Sequence, residues 1–235
     1  MKTVIVYGIE HKRTNYNVVQ LFKKHLNINE DDLTEYFLPN DLPHFCCGCN
    51  TCFMKGEGFC PHQSNVTPIK NAIREADLLI FTSPVFVMHV TGQMKALLDH
   101  FAFQFMVHRP NEKMFFKTAL IVSLGAGGGM NSAIKDISTS MEWWGVSRIY
   151  KYGHASNAAV WEDVTEENRA KIERKIKTIS GKIKRKINKP KTKFKVKIYF
   201  TISRMMKKKF NTIPYEKEYW DKKGWINKKR PWKNK

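Results

Sequence analysis

Short apolar segments rich in β-branched residues alternate with segments of helical periodicity through the first 155 residues of this chain. Each apolar segment has about the length of one buried strand, and short connections join it to the next helical segment. Such alternation is typical of a parallel sheet with helices on both faces. The pattern predicts strands at 3–7, 34–38, 78–82, 118–123 and 147–152, and helices at 17–26, 66–76, 92–106 and 130–144. We therefore expect an α/β fold with a doubly wound, five-stranded parallel sheet.

The charge of the chain changes abruptly near residue 169. From Arg169 to the C-terminus there are 26 Lys and Arg against 4 acidic residues, whereas the preceding part has 15 basic and 17 acidic residues. This boundary predicts a sheet domain at 1–165 and a basic C-terminal helix and extension at 166–235. The start of the chain does not resemble a secretory signal, and no apolar run reaches about 18 residues, so we expect a cytoplasmic location.

Three loops of unusual composition follow predicted strands at the carboxyl edge of the sheet, where parallel α/β sheets bind their ligands. They span residues 8–16, 83–91 and 124–129. The third loop has four Gly within residues 125–129, and backbone without a Cβ can approach a ligand closely. The second loop begins with Ser83-Pro84 and offers a rigid backbone and the aromatic edge of Phe86 to a flat ring. Together the three loops indicate one ligand site.

All five cysteines lie between residues 46 and 60. Four of them, Cys46, Cys49, Cys52 and Cys60, have the spacing C-x2-C-x2-C-x7-C, and we assign the fifth, Cys47, to packing. The first three repeat the ligand spacing of bacterial ferredoxin clusters, so the four are candidate ligands of a [4Fe–4S] cluster. Two other interpretations stay open, namely free or redox-active thiols, and zinc held by four thiolates.

The stretch 79-LIFTSPVFVMHVTGQMKALLDHF-101 resembles the flavodoxin-like NAD(P)H-dependent FMN reductases. The Gly-rich loop after 119–123 is similar to the third flavin loop of that family, and its iron-sulfur flavoprotein branch carries a cysteine motif at the same place in the chain. The resemblance covers about residues 1–155 and implies a flavodoxin-like fold that binds FMN. On the second and third loops it implies flavin contacts from Ser83, Pro84, Val85, Phe86, Gly125, Gly127 and Gly128.

The first loop departs from the family pattern, in which Gly-Ser-Pro-Arg precedes a Gly-Asn-Thr element. This chain has GIEHKRTNY at 8–16. Thr14, Asn15 and the N-terminus of the following helix can still donate to a phosphate, and Lys12 or Arg13 supplies positive charge. We assign this part of the FMN site to His11, Lys12, Thr14, Asn15 and Tyr16. FMN is expected instead of FAD because no Gly-x-Gly-x-x-Gly fingerprint follows the first strand.

These loops and the resemblance predict an FMN-dependent oxidoreductase that passes electrons from NAD(P)H to a flavin, quinone or similar small acceptor. The alternative is an iron-sulfur flavoprotein that transfers electrons through a [4Fe–4S] cluster at the cysteine loop. We nominate no catalytic side chain, because the cofactor carries the hydride chemistry. Lys95 and Asp99 are four residues apart on a helix and are expected to pair, and His100 and His108 are expected at the surface or an interface.

The segment 194–210 of the basic extension alternates like a strand but also places its apolar residues on one helical face. We favour a helix because of its length and its Met-Met-Lys-Lys-Lys end. We expect its apolar face to pack on the core or on the second subunit of a homodimer, followed by an extended end that docks through Tyr219, Trp220, Trp225 and Trp232. The alternative is an amphipathic element at an anionic membrane surface, and binding of nucleic acid is not favoured.

Overall fold

A computed structural model describes residues 1–158, 160–189, 191–210 and 212–233. Its strands are β1 (Thr3–Tyr7), β2 (Leu33–Phe37), β3 (Leu78–Thr82), β4 (Thr118–Gly125) and β5 (Arg148–Ala155). They form one sheet in the order β2-β1-β3-β4-β5, and every neighbouring pair is parallel. The predicted five-stranded, doubly wound parallel sheet is therefore confirmed.

Helices cover both faces of this sheet. They are α1 (Thr14–Leu26), α2 (Thr51–Met54), α3 (Gln63–Glu75), α4 (Gly92–His100), α5 (Met130–Trp143), α6 (Glu166–Ile187), α7 (Phe194–Phe210) and α8 (Pro214–Lys222). Val4 and Val6 of β1 point to α3, α4 and α5, whereas Ile5 and Tyr7 point to α1 and α6. All residues of β1 and β3 are buried, which explains why both strands are continuous apolar runs in the sequence.

The predicted helix 92–106 is wrong at its C-terminal end, because α4 ends at His100. Phe101 leaves the helical backbone angles, with φ −94° and ψ 15°, and a 3₁₀ turn follows at Ala102–Gln104. Phe101, Phe103 and Met106 are nevertheless buried. Apolar residues thus continue beyond the end of the helix because this turn also packs into the core, and periodicity alone did not reveal the end.

The first helix of the basic extension packs with the sheet domain. α6 lies against α1 and buries Ile172, Ile176 and Ile183 in the same apolar cluster as Ile5 and Val18. Its lysines lie largely at the exposed positions. The change of composition near residue 169 therefore marks a change of surface charge within a continuous core.

The remaining extension is helical and docks on the sheet domain. The helix predicted at 194–210 is confirmed by α7, whereas the expected extended end is wrong because Pro214–Lys222 forms α8, which begins with a favourable Pro. A third apolar cluster joins the two parts and contains Met106, Phe115, Val196, Phe200, Trp220 and Trp225. None of the helices described by the structure is long and apolar enough to cross a membrane.

Candidate functional site

A cavity of about 230 Å³ opens at the carboxyl edge of the sheet. The loops after β1, β3 and β4 meet there with the segment after β5. The lining residues are Ile9, His11, Arg13, Thr14, Asn15, Pro84, Val85, Phe86, Leu124, Gly125, Ala126, Ser156 and Ala158. The three loops of unusual composition therefore face one common space.

Hydrogen bonds hold the first two loops together beneath the cavity. The amide of Gly8 donates to the carbonyl of Thr82 at 2.7 Å, and the Thr91 hydroxyl donates to the carbonyl of Gly8 at 2.5 Å. The amide of Thr91 donates in turn to the Ser83 hydroxyl at 3.1 Å. Ser83 is completely buried, so its side chain supports the loop and does not line the cavity.

Asn15 connects the first turn of α1 to the ends of two strands. Its Oδ1 accepts a hydrogen bond from the Thr82 hydroxyl at 3.2 Å and another from the amide of Leu124 at 3.1 Å. The side chain is buried, and these bonds satisfy an acceptor that would otherwise be costly to bury. Asn15 therefore positions the start of α1 relative to the second and third loops.

The N-terminus of α1 is suited to an anion. Arg13 occupies the N-cap position without capping the helix through its side chain, and the first turn contains no acidic residue. The hydroxyl of Thr14 is fully buried and has no hydrogen-bond partner among the described residues. Free amides, the helix dipole and the charge of Arg13 favour a phosphate there. Lys12 instead stands over the ring of Tyr16, 5.4 Å from its centroid.

The second and third loops contact each other at positions where only glycine fits. A Cβ built on Gly125 would lie 2.9 Å from the carbonyl oxygen of Gly128 and 3.1 Å from Val85 Cγ2. Gly129 has φ +86°, and its Cβ would lie 2.5 Å from Val85 Cγ1. Gly127 and Gly128 are exposed, and a Cβ on either would meet no described atom within 4 Å. The steric need for glycine therefore falls on Gly125 and Gly129.

The rim of the cavity at the second loop is a tight turn. The amide of Phe86 donates to the carbonyl of His89, and the amide of His89 donates to the carbonyl of Phe86, both at 2.9 Å. Val87 and Met88 between them have φ +45° and +68°, which is unusual for residues with a side chain, and Val87 is 96% exposed. Strained backbone of this kind persists only where the surroundings hold it, and it is common at ligand sites.

The predicted flavin residues divide into two groups. Those lining the cavity are His11, Thr14, Asn15, Pro84, Val85, Phe86 and Gly125. Those outside it are Lys12, Tyr16, Ser83, Gly127 and Gly128. Sequence reasoning missed Ser156 and Ala158, although their position directly after the fifth strand places them at the same edge of the sheet.

A second cavity, of about 330 Å³, is lined by all five cysteines. None of the five forms a disulfide, and Cys47 is exposed, so the packing role predicted for it is wrong. Burial raises the pKa of Cys52 to about 11 and also raises that of Cys60, whereas hydrogen bonding with Thr51 lowers the pKa of the exposed Cys49. The folded loop thus brings Cys60 to the same space as the C-x2-C-x2-C segment. A metal bound to Cys52 would have to displace its proton.

Two histidines border the cysteine cavity. The ligand atoms of Cys60, His62 and His100 lie within 4.8 Å of one another, and His62 Nδ1 is 2.9 Å from His100 Nε2. His100 Nδ1 lies 2.8 Å from the carbonyl of Ala96 and donates its proton there, so His100 Nε2 is the acceptor in the contact with His62. His100 is buried, so its predicted surface position is wrong.

The cysteine loop is also anchored to the C-terminal extension. The buried Arg109 donates to Glu57 at 2.8 Å and to the carbonyl of Cys52 at 2.6 Å, and its guanidinium lies 4.8 Å from the ring centroid of Tyr215 in α8. His108 pairs with the fully buried Glu216 at 2.8 Å. Burial would raise the pKa of Glu216, but hydrogen bonds from His108 and Lys207 lower it.

The paired residues on α4 lie apart from these contacts. Lys95 and Asp99 form the predicted ion pair on the exposed face of the helix. An exposed pair of this kind stabilises a helix only slightly, so we assign it no functional role.

Comparison with known proteins gives a consistent family assignment. Residues 1–159 match the family described as NADPH-dependent FMN reductase. An iron-sulfur flavoprotein of Archaeoglobus fulgidus is 29% identical over 142 residues, which cover 57% of this chain and 63% of the relative. An iron-sulfur flavoprotein of Methanocaldococcus jannaschii is 36% identical over 102 residues, which cover 42% of this chain and 51% of the relative. The chain thus spans between half and two thirds of the length of each.

Solved structures agree with the fold. An FMN-dependent NADH-azoreductase from Bacillus anthracis, solved in complex with FMN, superimposes with a TM-score of 0.58 at 11% identity. The match covers 78% of this chain and 99% of the azoreductase. At such low identity the likeness concerns the fold alone, and it confirms the flavodoxin-like arrangement of sheet and helices.

Proposed function

The chain belongs to the NADPH-dependent FMN reductase family, and we propose that it is an FMN-dependent oxidoreductase that takes electrons from NAD(P)H and passes them to a small acceptor such as a flavin or quinone. The observation that carries this proposal is the cavity at the N-terminus of α1. It combines an unpartnered buried hydroxyl, Thr14, with uncapped helix amides and a glycine, Gly125, that cannot be replaced without a clash.

The residues present fit FMN. The Thr14 hydroxyl, the first amides of α1 and the charge of Arg13 would hold the phosphate. Pro84, Phe86 and the backbone at Gly125 would hold the ring and exclude water from one side. FMN held there would supply hydride acceptance and one- or two-electron transfer, so the protein would need to supply position more than acid or base chemistry.

We expect Thr14→Val to weaken FMN binding by about 10–100-fold, because a hydrogen bond to a charged group contributes about 1.5–3 kcal/mol. Riboflavin, which lacks the phosphate, should bind the parent and the variant equally. Titration of each flavin against the apoprotein measures both affinities. Thr178→Val, at an exposed position of α6, removes the same hydroxyl far from the cavity and should change neither.

Equal FMN affinity of the Thr14 variant and the parent would contradict the proposed phosphate site, and failure to bind FMN at all would contradict the proposed cofactor. The reaction itself is tested by stopped-flow reduction of the bound flavin with NADH and with NADPH. Reduction by dithionite but by neither nucleotide would exclude the reductase and favour the electron-transfer alternative.

As a second candidate we propose that the cysteine loop holds a [4Fe–4S] cluster and that the protein transfers electrons through it. Cys46, Cys49, Cys52 and Cys60 line one cavity of about 330 Å³, a donor set of four thiols that suits such a cluster. The names of the two archaeal relatives agree with this candidate. The loop would supply the ligands, and Arg109 would keep the loop folded around them.

We expect the protein purified without oxygen to contain about four iron atoms and four sulfides per chain, and Cys49→Ser to lose most of them, because serine is a poor ligand for such clusters. Cys47→Ser is the matched control, since this exposed neighbour is not among the proposed ligands, and it should retain the iron. Iron and sulfide analysis measures both. Stoichiometric zinc without sulfide would contradict the cluster and favour a zinc site that includes Cys60, His62 and His100.

A further inference from the structure

Helix α7 buries one face, whereas the apolar face that the sequence predicted to pack on the core or a second subunit is exposed in this chain. Val196, Phe200, Ser203 and Lys207 repeat at helical spacing and are buried against the sheet domain and α8. On the other side, large apolar side chains are exposed by 40% or more: Phe194, Ile198, Ile202, Met205, Met206 and Phe210. We call these six residues the exposed stripe of α7.

The spacing of the exposed stripe shows that it is a continuous face. Positions 194, 198, 202 and 205 follow one another at intervals of four, four and three, and they are offset by about two residues, or roughly 200°, from the buried positions. The stripe therefore points away from the core over nearly the full length of the helix. Exposure of six such side chains to water is unfavourable, and large exposed apolar patches usually mark an interaction surface.

The surroundings of the stripe are strongly positive. Helix α7 contains no acidic residue at positions 194–210, whereas it contains six Lys and Arg. Lys208 and Lys209 are exposed at the end of α7, and Lys197 lies beside the stripe. Long lysine side chains can cover apolar surface while their charges reach a polar boundary. A partner that covers this face must therefore have an apolar interior that receives the stripe and negative charges at its surface that pair with the lysines.

We propose that α7 docks on the surface of an anionic lipid bilayer, with the exposed stripe inserted among the acyl chains and the lysines at the lipid phosphates. An apolar face flanked by Lys and a length of 17 residues are the features of a helix that lies in the interface. A second copy of this chain is the poorer occupant, because two such stripes in contact would bring two clusters of lysines together without acids between them. Nucleic acid would pair with the lysines but leaves the stripe uncovered.

The buried face of α7 explains how the helix would be presented to a membrane. Phe200 packs against Phe115, and the exposed Lys195 pairs with Glu142 of α5 at 2.7 Å. These contacts hold the helix on the folded domain before it meets lipid. The stripe is thus prearranged, so binding needs no folding of a disordered segment and costs little conformational entropy.

The test is cosedimentation of the full-length protein with vesicles of phosphatidylcholine alone and with about a third of phosphatidylglycerol. We expect binding to the anionic vesicles only. The double variant Ile202→Ser with Met205→Ser keeps the charge and should bind at least about tenfold more weakly, because it removes two inserted apolar side chains. The double variant Lys208→Gln with Lys209→Gln should bind about thirtyfold more weakly.

The matched control is Lys175→Gln with Lys177→Gln, which removes the same charge from exposed positions of α6 and should bind nearly as the parent does. Circular dichroism should show that each variant is folded, since all six positions are exposed. The proposal is overturned if anionic vesicles do not sediment the parent, or if the serine variant binds as tightly as the parent. It is also overturned if the serine substitutions instead dissociate an oligomer of the parent, which would make the stripe a subunit interface.

Discussion

Replacement of Gly125 by Val should reduce the affinity for FMN by about a hundredfold, because the new side chain overpacks a closed contact at a cost of up to about 3 kcal/mol. Its Cβ would lie 2.9 Å from the carbonyl oxygen of Gly128 and 3.1 Å from Val85 Cγ2, so the second and third loops must separate. Gly125 lines the cavity, so the substitution also alters the cavity wall. Quenching of FMN fluorescence on titration with apoprotein measures the loss.

Gly127→Val is the control within the same loop. A Cβ at this exposed position would meet no described atom within 4 Å, so the variant should bind FMN nearly as tightly as the parent. Far-ultraviolet circular dichroism should show an intact sheet in both variants, since the strands are not touched. Equal weakening by both substitutions would mean that the whole loop contacts the flavin, as the sequence alone suggested. Unchanged binding by the Gly125 variant would remove this loop from the site.

Replacement of Phe200 by Ala should lower the free energy of unfolding by about 3–5 kcal/mol, the usual cost of removing a buried Phe. Phe200 is fully buried in α7, and its ring lies 5.2–5.7 Å from those of Phe115, Trp220, Trp225 and Trp232. For a chain of this length the loss corresponds to a fall in melting temperature of roughly 6–20 °C. Thermal denaturation followed by circular dichroism measures it.

Phe194→Ala makes the same chemical change on the same helix at a side chain that is 78% exposed, so its effect should stay within about 0.5 kcal/mol. A similar melting temperature for the two variants would contradict the docked arrangement of the extension. If instead only the Phe200 variant is destabilised, the extension is an integral part of the fold. In the Phe200 variant the thiols of the cysteine loop should then also become more accessible. The reason is that Tyr215 of α8 contacts Arg109, which holds that loop.

The cysteine cavity shows which features of a site can be predicted from the spacing of residues in the sequence. The C-x2-C-x2-C segment and its distance to Cys60 predict a thiol-rich loop, because ligands a few residues apart can face one centre wherever the loop lies. Spacing carries no information about His100, which is 40 residues further along and reaches Cys60 only because the start of α3 and the end of α4 lie side by side. The buried Arg109 beneath the loop was missed for the same reason.

The sequence by itself determined the sheet, because the alternation of buried strands and amphipathic helices is a local property that the chain carries at every turn. It also determined that α7 is helical, and that loops of unusual composition follow three of the strands. Only the tertiary structure decided which residues of those loops line the cavity, since Lys12 and Ser83 are neighbours of lining residues but point elsewhere. It also decided which face of α7 is covered, because the choice depends on contacts with Phe115 and Trp220, which are distant in sequence. Local periodicity specifies secondary structure. Contacts between distant parts of the chain decide which face of a helix is buried in the core and which face meets solvent.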